Sequence, residues 1–381
     1  MPESEESISE LLELGIRNIY INTVNKASIS SNDIYTDGTI SITDFDGNSL
    51  YSSLKARFKI RGNSTQGFPK KSYRIKLDDA ADLLGLGSAE NWMLVANYTD
   101  KSLMRNLMAQ WMSKQMSGIK YSIPLVPVQV YLNGEYVGLY NLGDHIEVRD
   151  CRVDVETGSN YYDTGYFIEA DIRAPDEDRP YFEVAGTYFS ILSPKAPTDE
   201  QIEYITNYFK RVDYLLSIRS DAVWDYIDID TCIDFLIVKE TCCGSSMPYD
   251  VYIYKDADGK LCFGPVWDFD LAFGNADYGG ADRYDRFYTS TGTWFCDWFE
   301  YDVFVQRFND RWKYAYETVI PAMHEQMWFY YDYMKAAADD NFKRWDILDK
   351  YVWPNPEGVM NATTYEKQVE FLSRFLTLHT D

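Results

Sequence analysis

Two acidic residues separated by a single residue, Asp268 and Asp270, stand in the segment GPVWDFDLAFG (264–274) among Val266, Trp267, Phe269, Leu271 and Phe273. Carboxylates in apolar surroundings are costly to desolvate unless a cation or hydrogen bonds compensate them, and hard oxygen ligands suit Mg²⁺, Mn²⁺ or Ca²⁺. An isolated D-x-D also has a plainer reading, in which one Asp caps a turn and the other faces solvent. The second chemical feature is cationic. Arg57, Lys59, Arg61, Lys70, Lys71, Arg74 and Lys76 put seven cations within twenty positions of a chain whose formal net charge is -24. Such an island suits phosphate groups; as a solvated strand edge it would need no ligand.

The elements that must position these residues can be read from periodicity. YDVYIYKDADGKLCFGPV alternates about Asp258-Gly259 as a hairpin, so the acidic pair follows a strand directly. LKARFKIRG and KKSYRIKL read as half-buried strands joined by the loop RGNSTQGFP. Ile19, Tyr20 and Ile21 open the series of strands, and TDFDGNSLY turns a hairpin. In NYTDKSLMRNLMAQWMSKQMSG, Leu103, Leu107, Trp111 and Met112 fall at helical spacing, with Asp100 as N-cap and Gly118 as stop. VPVQVYLNGEYVGLYNLGDHI forms a hairpin about Asn133-Gly134. After about residue 195 helical patterns dominate, starting with a capping box at Thr198 and continuing through DIDTCIDFLIVKETC and the aromatic-rich stretch from Trp294 to Leu378. Asp44-Phe45-Asp46-Gly47 and Asp256-Ala257-Asp258-Gly259 echo part of a calcium loop but lack its other ligands, so both read as hairpin turns.

With 381 residues, 46% of them hydrophobic, the chain can bury a large core over two domains or lobes. The charge of -24 argues against nucleic-acid backbones and anionic membranes, which need a basic face. Cys151, Cys232, Cys242, Cys243, Cys262 and Cys296 lack C-x-x-C spacing, which argues against structural zinc and for small buried hydrophobes. No apolar run spans a membrane, and MPESEESISE lacks the pattern of a signal peptide.

Four segments, in order, resemble the spore-coat protein H (CotH) kinase family. They are KIRGNSTQGFPKKSYRIKL (59–77), NWMLVANYTDKSLMRN (91–106), VQVYLNGEYVGLYNLGDHIEV (128–148) and the Trp-Asp-Phe-Asp segment. The resemblance covers most of the chain and implies an α+β, bilobal, atypical protein-kinase-like fold. An acidic linker over 1–15 would precede a β-rich N-lobe over 16–145 with the phosphate-binding loop, and a mainly helical C-lobe with the metal site would follow over 146–381. It further implies ATP with Mg²⁺ or Mn²⁺ as cofactors and γ-phosphate transfer to Ser or Thr of a protein substrate of unknown identity. Because the family is usually exported, it also implies a secreted or surface-associated protein.

By that resemblance Arg61, Gly62, Asn63, Ser64 and Thr65 cover the phosphates, and Lys71 is the leading catalytic lysine with Lys76 as runner-up. Asp268 and Asp270 become metal ligands. Asp144 keeps the carboxylate where the family usually has Glu, one methylene shorter. Glu90 and Asp100 are both candidates to pair with the lysine, Arg105 is an alternative phosphate contact, and His145 is either structural or an acid–base group. The catalytic loop departs from the family pattern. In one register of ETCCGSSMPYDVYIY, Asp250 takes the metal-binding amide position and Ser245 falls at the base position; in the other, Asp250 is itself the base. The first is preferred because the strand of Tyr252 and Tyr254 begins where the family's does. The alternative function is a pseudokinase, or a non-catalytic module of an extracellular, carbohydrate-degrading complex.

Overall fold

Alternating apolar residues on seven strands need a shared interior, and the chain provides one by closing a barrel. The computed structural model describes residues 15–159, 161–244, 249–289, 294 and 296–381; residues 1–14 of the acidic linker and Ser245 lie outside them. The barrel strands are β1 (Arg17–Thr23), β2 (Thr36–Thr43), β3 (Ser49–Arg61), β4 (Ser72–Asp82), β5 (Ser88–Val95), β6 (Leu125–Leu132) and β7 (Glu135–Asp144), in spatial order β1-β2-β3-β4-β5-β7-β6. Parallel pairing of β1 with β6 closes it. Ile21, Ile40, Phe58, Ile75, Trp92, Val128 and Leu142 belong to its interior cluster. The expected hairpins form. Asn133 and Gly134, at φ +52° and +90°, make the tight turn between β6 and β7, and Asp44 and Asp256 sit in hairpin turns closed by Gly47 and Gly259 amides.

The next strands build a second, antiparallel sheet in the order β12-β11-β8-β10-β9, from β8 (Tyr166–Ala170), β9 (Tyr181–Val184), β10 (Thr187–Ser193), β11 (Val251–Lys255) and β12 (Cys262–Phe263). Only the β11–β12 hairpin is anticipated by sequence pattern. Helices α1 (Arg105–Gln115), α2 (Asp199–Ser217), α3 (Ile229–Thr241), α4 (Asp302–Tyr314), α5 (Ile320–Arg344), α6 (Glu357–Asn361) and α7 (Tyr365–Thr380) complete the architecture, which is α+β with a β-rich N-terminal region and a helical C-terminal part. Thr198 forms the expected capping box on α2. On the sheet, Ile168, Ala170, Val251 and Ile253 join the main core with the helices. Phe167, Tyr252 and Tyr254 belong to a separate small cluster. Met93, Val95, Leu125 and Leu139 extend the main core to the barrel. Cys232, Cys242 and Cys243 are buried, as expected of small hydrophobes.

Lys70, at 2% exposure, fastens the barrel to α5: its ammonium donates to the Leu139 carbonyl and to Asn341 Oδ1. Trp345 Nε1 donates to the Val137 carbonyl at 2.9 Å alongside. The first lysine of the PKK run is therefore a structural tie.

Candidate functional site

After β12 the chain cannot continue as a strand, because Asp268 and Phe273 adopt left-handed backbone conformations at φ +66° and +49°. Helix α1 holds this turning segment by its backbone. Gln110 Nε2 donates to Val266 O at 2.7 Å, the Phe269 amide donates to Asn106 Oδ1 at 3.0 Å, and Arg105 Nε donates to Ala272 O at 3.0 Å. Arg105 is fully buried and paired with the fully buried Asp100, and through its bond to Ala272 it anchors the acidic segment. Asp100 does not occupy the N-cap position of α1, which falls at Met104. Its carboxylate instead accepts the Arg105 amide at 2.8 Å and the Ser102 amide at 3.0 Å. Asn275 Nδ2 completes the frame, donating to Asp270 O at 2.7 Å and to Thr99 O at 3.2 Å. Gly274 is required beside this turn: a Cβ there would lie 2.3 Å from the Phe375 ring.

Within this frame the two carboxyl groups meet. Asp268 is exposed at the rim, and Asp270 is half-buried beneath it. Burial first, then the charge of Asp268 and a hydrogen bond shared with it, hold the Asp270 carboxyl well above its ordinary range, against the opposing bond from Thr99 Oγ1 at 3.4 Å. A divalent cation at the pair would offset the charge of Asp268 that contributes to this rise. Asp250 lies at φ +56° ahead of β11, with its amide donating to Ala170 O at 3.0 Å. Among the described residues no three His, Cys, Asp or Glu side chains cluster as a metal-binding group. Two of the three expected ligands are thus brought together. A two-carboxylate site suits Mg²⁺ or Mn²⁺, which take one or two carboxylates and complete their shell with water and phosphate oxygens.

The cations divide. Arg61 comes to the acidic pair: its guanidinium lies 5.2 Å from the Trp267 ring centroid, and burial lowers its pKa while Asp268 and Asp270 act in the opposite direction. Gly62, at φ +98°, follows it because a Cβ would lie 1.9 Å from Thr65 Oγ1. Asn63 and Ser64 are exposed on the loop that turns here. Lys71 bonds its own loop, with Nζ donating to Gln66 O at 2.6 Å, and among the described residues it forms no ion pair with Glu90 or Asp100. Lys76 lies on the outer barrel face opposite Arg57 and Asn91, about 13 Å along the strand from Ser72, the partner of Arg61. The inward face of β4 is Tyr73, Ile75 and Leu77, so Arg74 shares the outer face with Lys76.

Arg74 therefore joins Arg61 in a cationic group completed by Arg152 and Arg179, which no sequence pattern singled out. Burial, followed by the charges of Arg74, Arg61, Arg152 and Arg179, drives the His145 pKa well below its ordinary value, which keeps the imidazole neutral. Asp144, 4% exposed, is pushed up to about 7 by burial, opposed by the ion pair it makes with Arg152 at 3.2 Å. Arg152 also binds Glu147 at 2.7 Å, and stacks over Trp92 at 5.2 Å, so Asp144 belongs to a braced junction at the end of β7.

The family model described as CotH kinase protein matches residues 58–380. The chain belongs to the CotH kinase family. No curated protein matches it. The CotH match begins inside β3 and takes in the Arg61 loop, α1, β7 and the Asp268–Asp270 segment, whereas β1 and β2, which close the barrel, precede it. Membership of this family supports a kinase-like function in general.

Glu169 and Lys239 of this CotH protein were not signalled by any motif. Glu169 pairs in register with Tyr252 on the face of the second sheet that also bears Phe167 and Tyr254. Burial pushes it up to about 7 from 4.5; Asp171 and Asp250 add to the rise, while the Tyr252 hydroxyl and Arg179 oppose it. The folded chain thus keeps a proton on Glu169 that the unfolded chain releases, and stability falls as pH rises from about 4.5 to about 7. Glu169→Gln is expected to remove this slope. Its advantage over the wild type in urea unfolding should grow from near zero at about pH 4.5 to on the order of 1–3 kcal/mol at about pH 8. A difference that stays constant across that range would refute the raised value. The hint for Glu169 was present as the one acidic residue in the apolar run YFIEA, and for Lys239 as the one cation in DFLIVKET.

Proposed function

We propose that the chain binds ATP with Mg²⁺ or Mn²⁺ between the barrel and the Asp268–Asp270 segment and transfers the γ-phosphate to Ser or Thr of a protein. The observation that carries this reading is the pairing of Asp268 with Asp270 beneath Arg61: two hydrogen-bonded carboxyl groups for a cation and a guanidinium for the anion it brings. A divalent ion held there would neutralise charge on the phosphate oxygens. Arg61, stacked on Trp267, holds its charge in a fixed position against the phosphates, and Arg74 extends the cationic face. The β-rich N-terminal region followed by a helical part supports a two-lobed, kinase-like arrangement, and the usual export of the family supports an extracellular setting.

A pseudokinase is the second reading, favoured by the sequence alone: in the preferred register Asp250 stands at the amide position and Ser245 at the base position. The two are separated by incubating the chain with Mn²⁺, γ-labelled ATP and a generic protein acceptor. Label on the acceptor supports the kinase; binding of Mn²⁺–ATP without label supports the pseudokinase, and no binding refutes both. Arg61→Ala should weaken Mn²⁺–ATP by about 1–3 kcal/mol for loss of a charge-assisted contact. Adenosine affinity should not change. Equal losses for ATP and adenosine would show damage to the loop in place of a lost phosphate contact.

A further inference from the structure

Four buried or tethered lysines of this chain have identified acceptors: Lys70 the Leu139 carbonyl, Lys71 the Gln66 carbonyl, Lys101 the Lys350 carbonyl and Lys255 the Asp163 carboxylate. Lys239 differs. It lies on α3 with no exposed surface, and its Nζ has no hydrogen-bond partner. Its ammonium sits 5.1 Å from the centroid of Phe269, the residue between the two paired carboxylates. A Cβ on Gly244 would stand 3.1 Å from Lys239 Cδ and 3.2 Å from Phe269 Cε1, so the chain passes closely over the lysine where glycine leaves room. The carboxylates acting on the ammonium are those of Asp250 and Asp268.

An ammonium offers three donors and no acceptor, and burying one without a partner is costly. A structural counter-ion would close onto a carboxylate, as Lys255 does on Asp163. Lys239 does not, although two carboxylates lie within its electrostatic reach. An oxyanion could take the donors of the lysine while its other oxygens meet a cation on the carboxylates. We propose that Lys239 is the phosphate-contacting lysine of this chain, donating from the helical part to a polyphosphate oxygen beside Asp268. This assignment rests on the nucleotide-binding reading above and moves the lysine from the segment leading into β4 to α3.

Calorimetric titration with Mn²⁺ alone and with Mn²⁺–tripolyphosphate tests it, on the wild-type chain and on Lys239→Met, which keeps the length of the side chain and removes its charge. Tripolyphosphate affinity should fall by about 10- to 100-fold, as expected for a lost charge-assisted bond. Mn²⁺ alone should bind as well or more tightly, since a neighbouring positive charge is gone, and the unliganded variant should melt no lower than the wild type. Equal tripolyphosphate affinity in the two proteins would overturn the assignment, as would joint loss of Mn²⁺ and tripolyphosphate, the mark of a purely structural lysine. A wild-type chain that does not bind Mn²⁺ would refute the metal site itself, and the role of Lys239 with it. Should the methionine variant fail to fold, Lys239→Gln supplies the same comparison.

Discussion

Asp268→Ala is expected to abolish measurable Mn²⁺-dependent ATP binding, by more than about 100-fold, while the unliganded protein unfolds at the same denaturant concentration or a higher one. The asymmetry follows from where the two carboxyl groups lie. Asp268 is exposed, and its charge is one of the causes that raise the Asp270 pKa, so deleting it relieves repulsion in the free protein. The same deletion removes half of a two-carboxylate site. The segment should keep its shape, because Gln110, Asn106 and Arg105 hold it through main-chain atoms of Val266, Phe269 and Ala272, none of which involves the Asp268 side chain. Titration calorimetry and urea unfolding check the two halves separately. Unchanged affinity for Mn²⁺–ATP would remove Asp268 from the site.

The opposite signature is expected for Asp100→Ala, which should lose about 3–5 kcal/mol of stability in urea unfolding. Both members of the Asp100–Arg105 pair have fully buried side chains, so removing the carboxylate leaves a guanidinium in the core without its counter-charge. Asp100 also accepts the amides of Ser102 and Arg105, and the first turn of α1 would lose both bonds. Since α1 carries the anchors of the acidic segment, metal affinity should fall together with stability. A loss below about 1 kcal/mol would show that the pair lies closer to solvent than its burial indicates.

Local structure was legible to a considerable depth. The Asn133-Gly134 hairpin, the Thr198 capping box, the Asp258-Gly259 hairpin before the acidic pair and the alternating strands on either side of RGNSTQGFP are governed by rules acting over a few residues, and each formed as read. Four ordered motifs also sufficed to recognise the CotH family, which the match over residues 58–380 shows.

The distribution of charge was another matter. Lys70, Lys71 and Lys76 are near neighbours in one basic segment, yet one is buried against Asn341, one folds back on Gln66 and one faces outward opposite Arg57. No spacing rule separates these fates, because each depends on which distant surface covers the strand. Arg105 shares its helix with the expected phosphate machinery but is claimed by Asp100 and Ala272. The second sheet escaped notice for a related reason. β8 meets β11 across a long sequence interval, and strands of four to seven residues carry too little periodicity to announce themselves. By itself the sequence determined the turns, the Thr198 cap, the alternation of the strands, the order of the motifs and the presence of a paired-carboxylate segment, all of which follow from chain-local geometry. Tertiary structure alone decided barrel closure, the union of Asp268 and Asp270 under Arg61, and the placing of Lys239 beneath Phe269, because burial and partnership are properties of surfaces that meet only after the chain has folded.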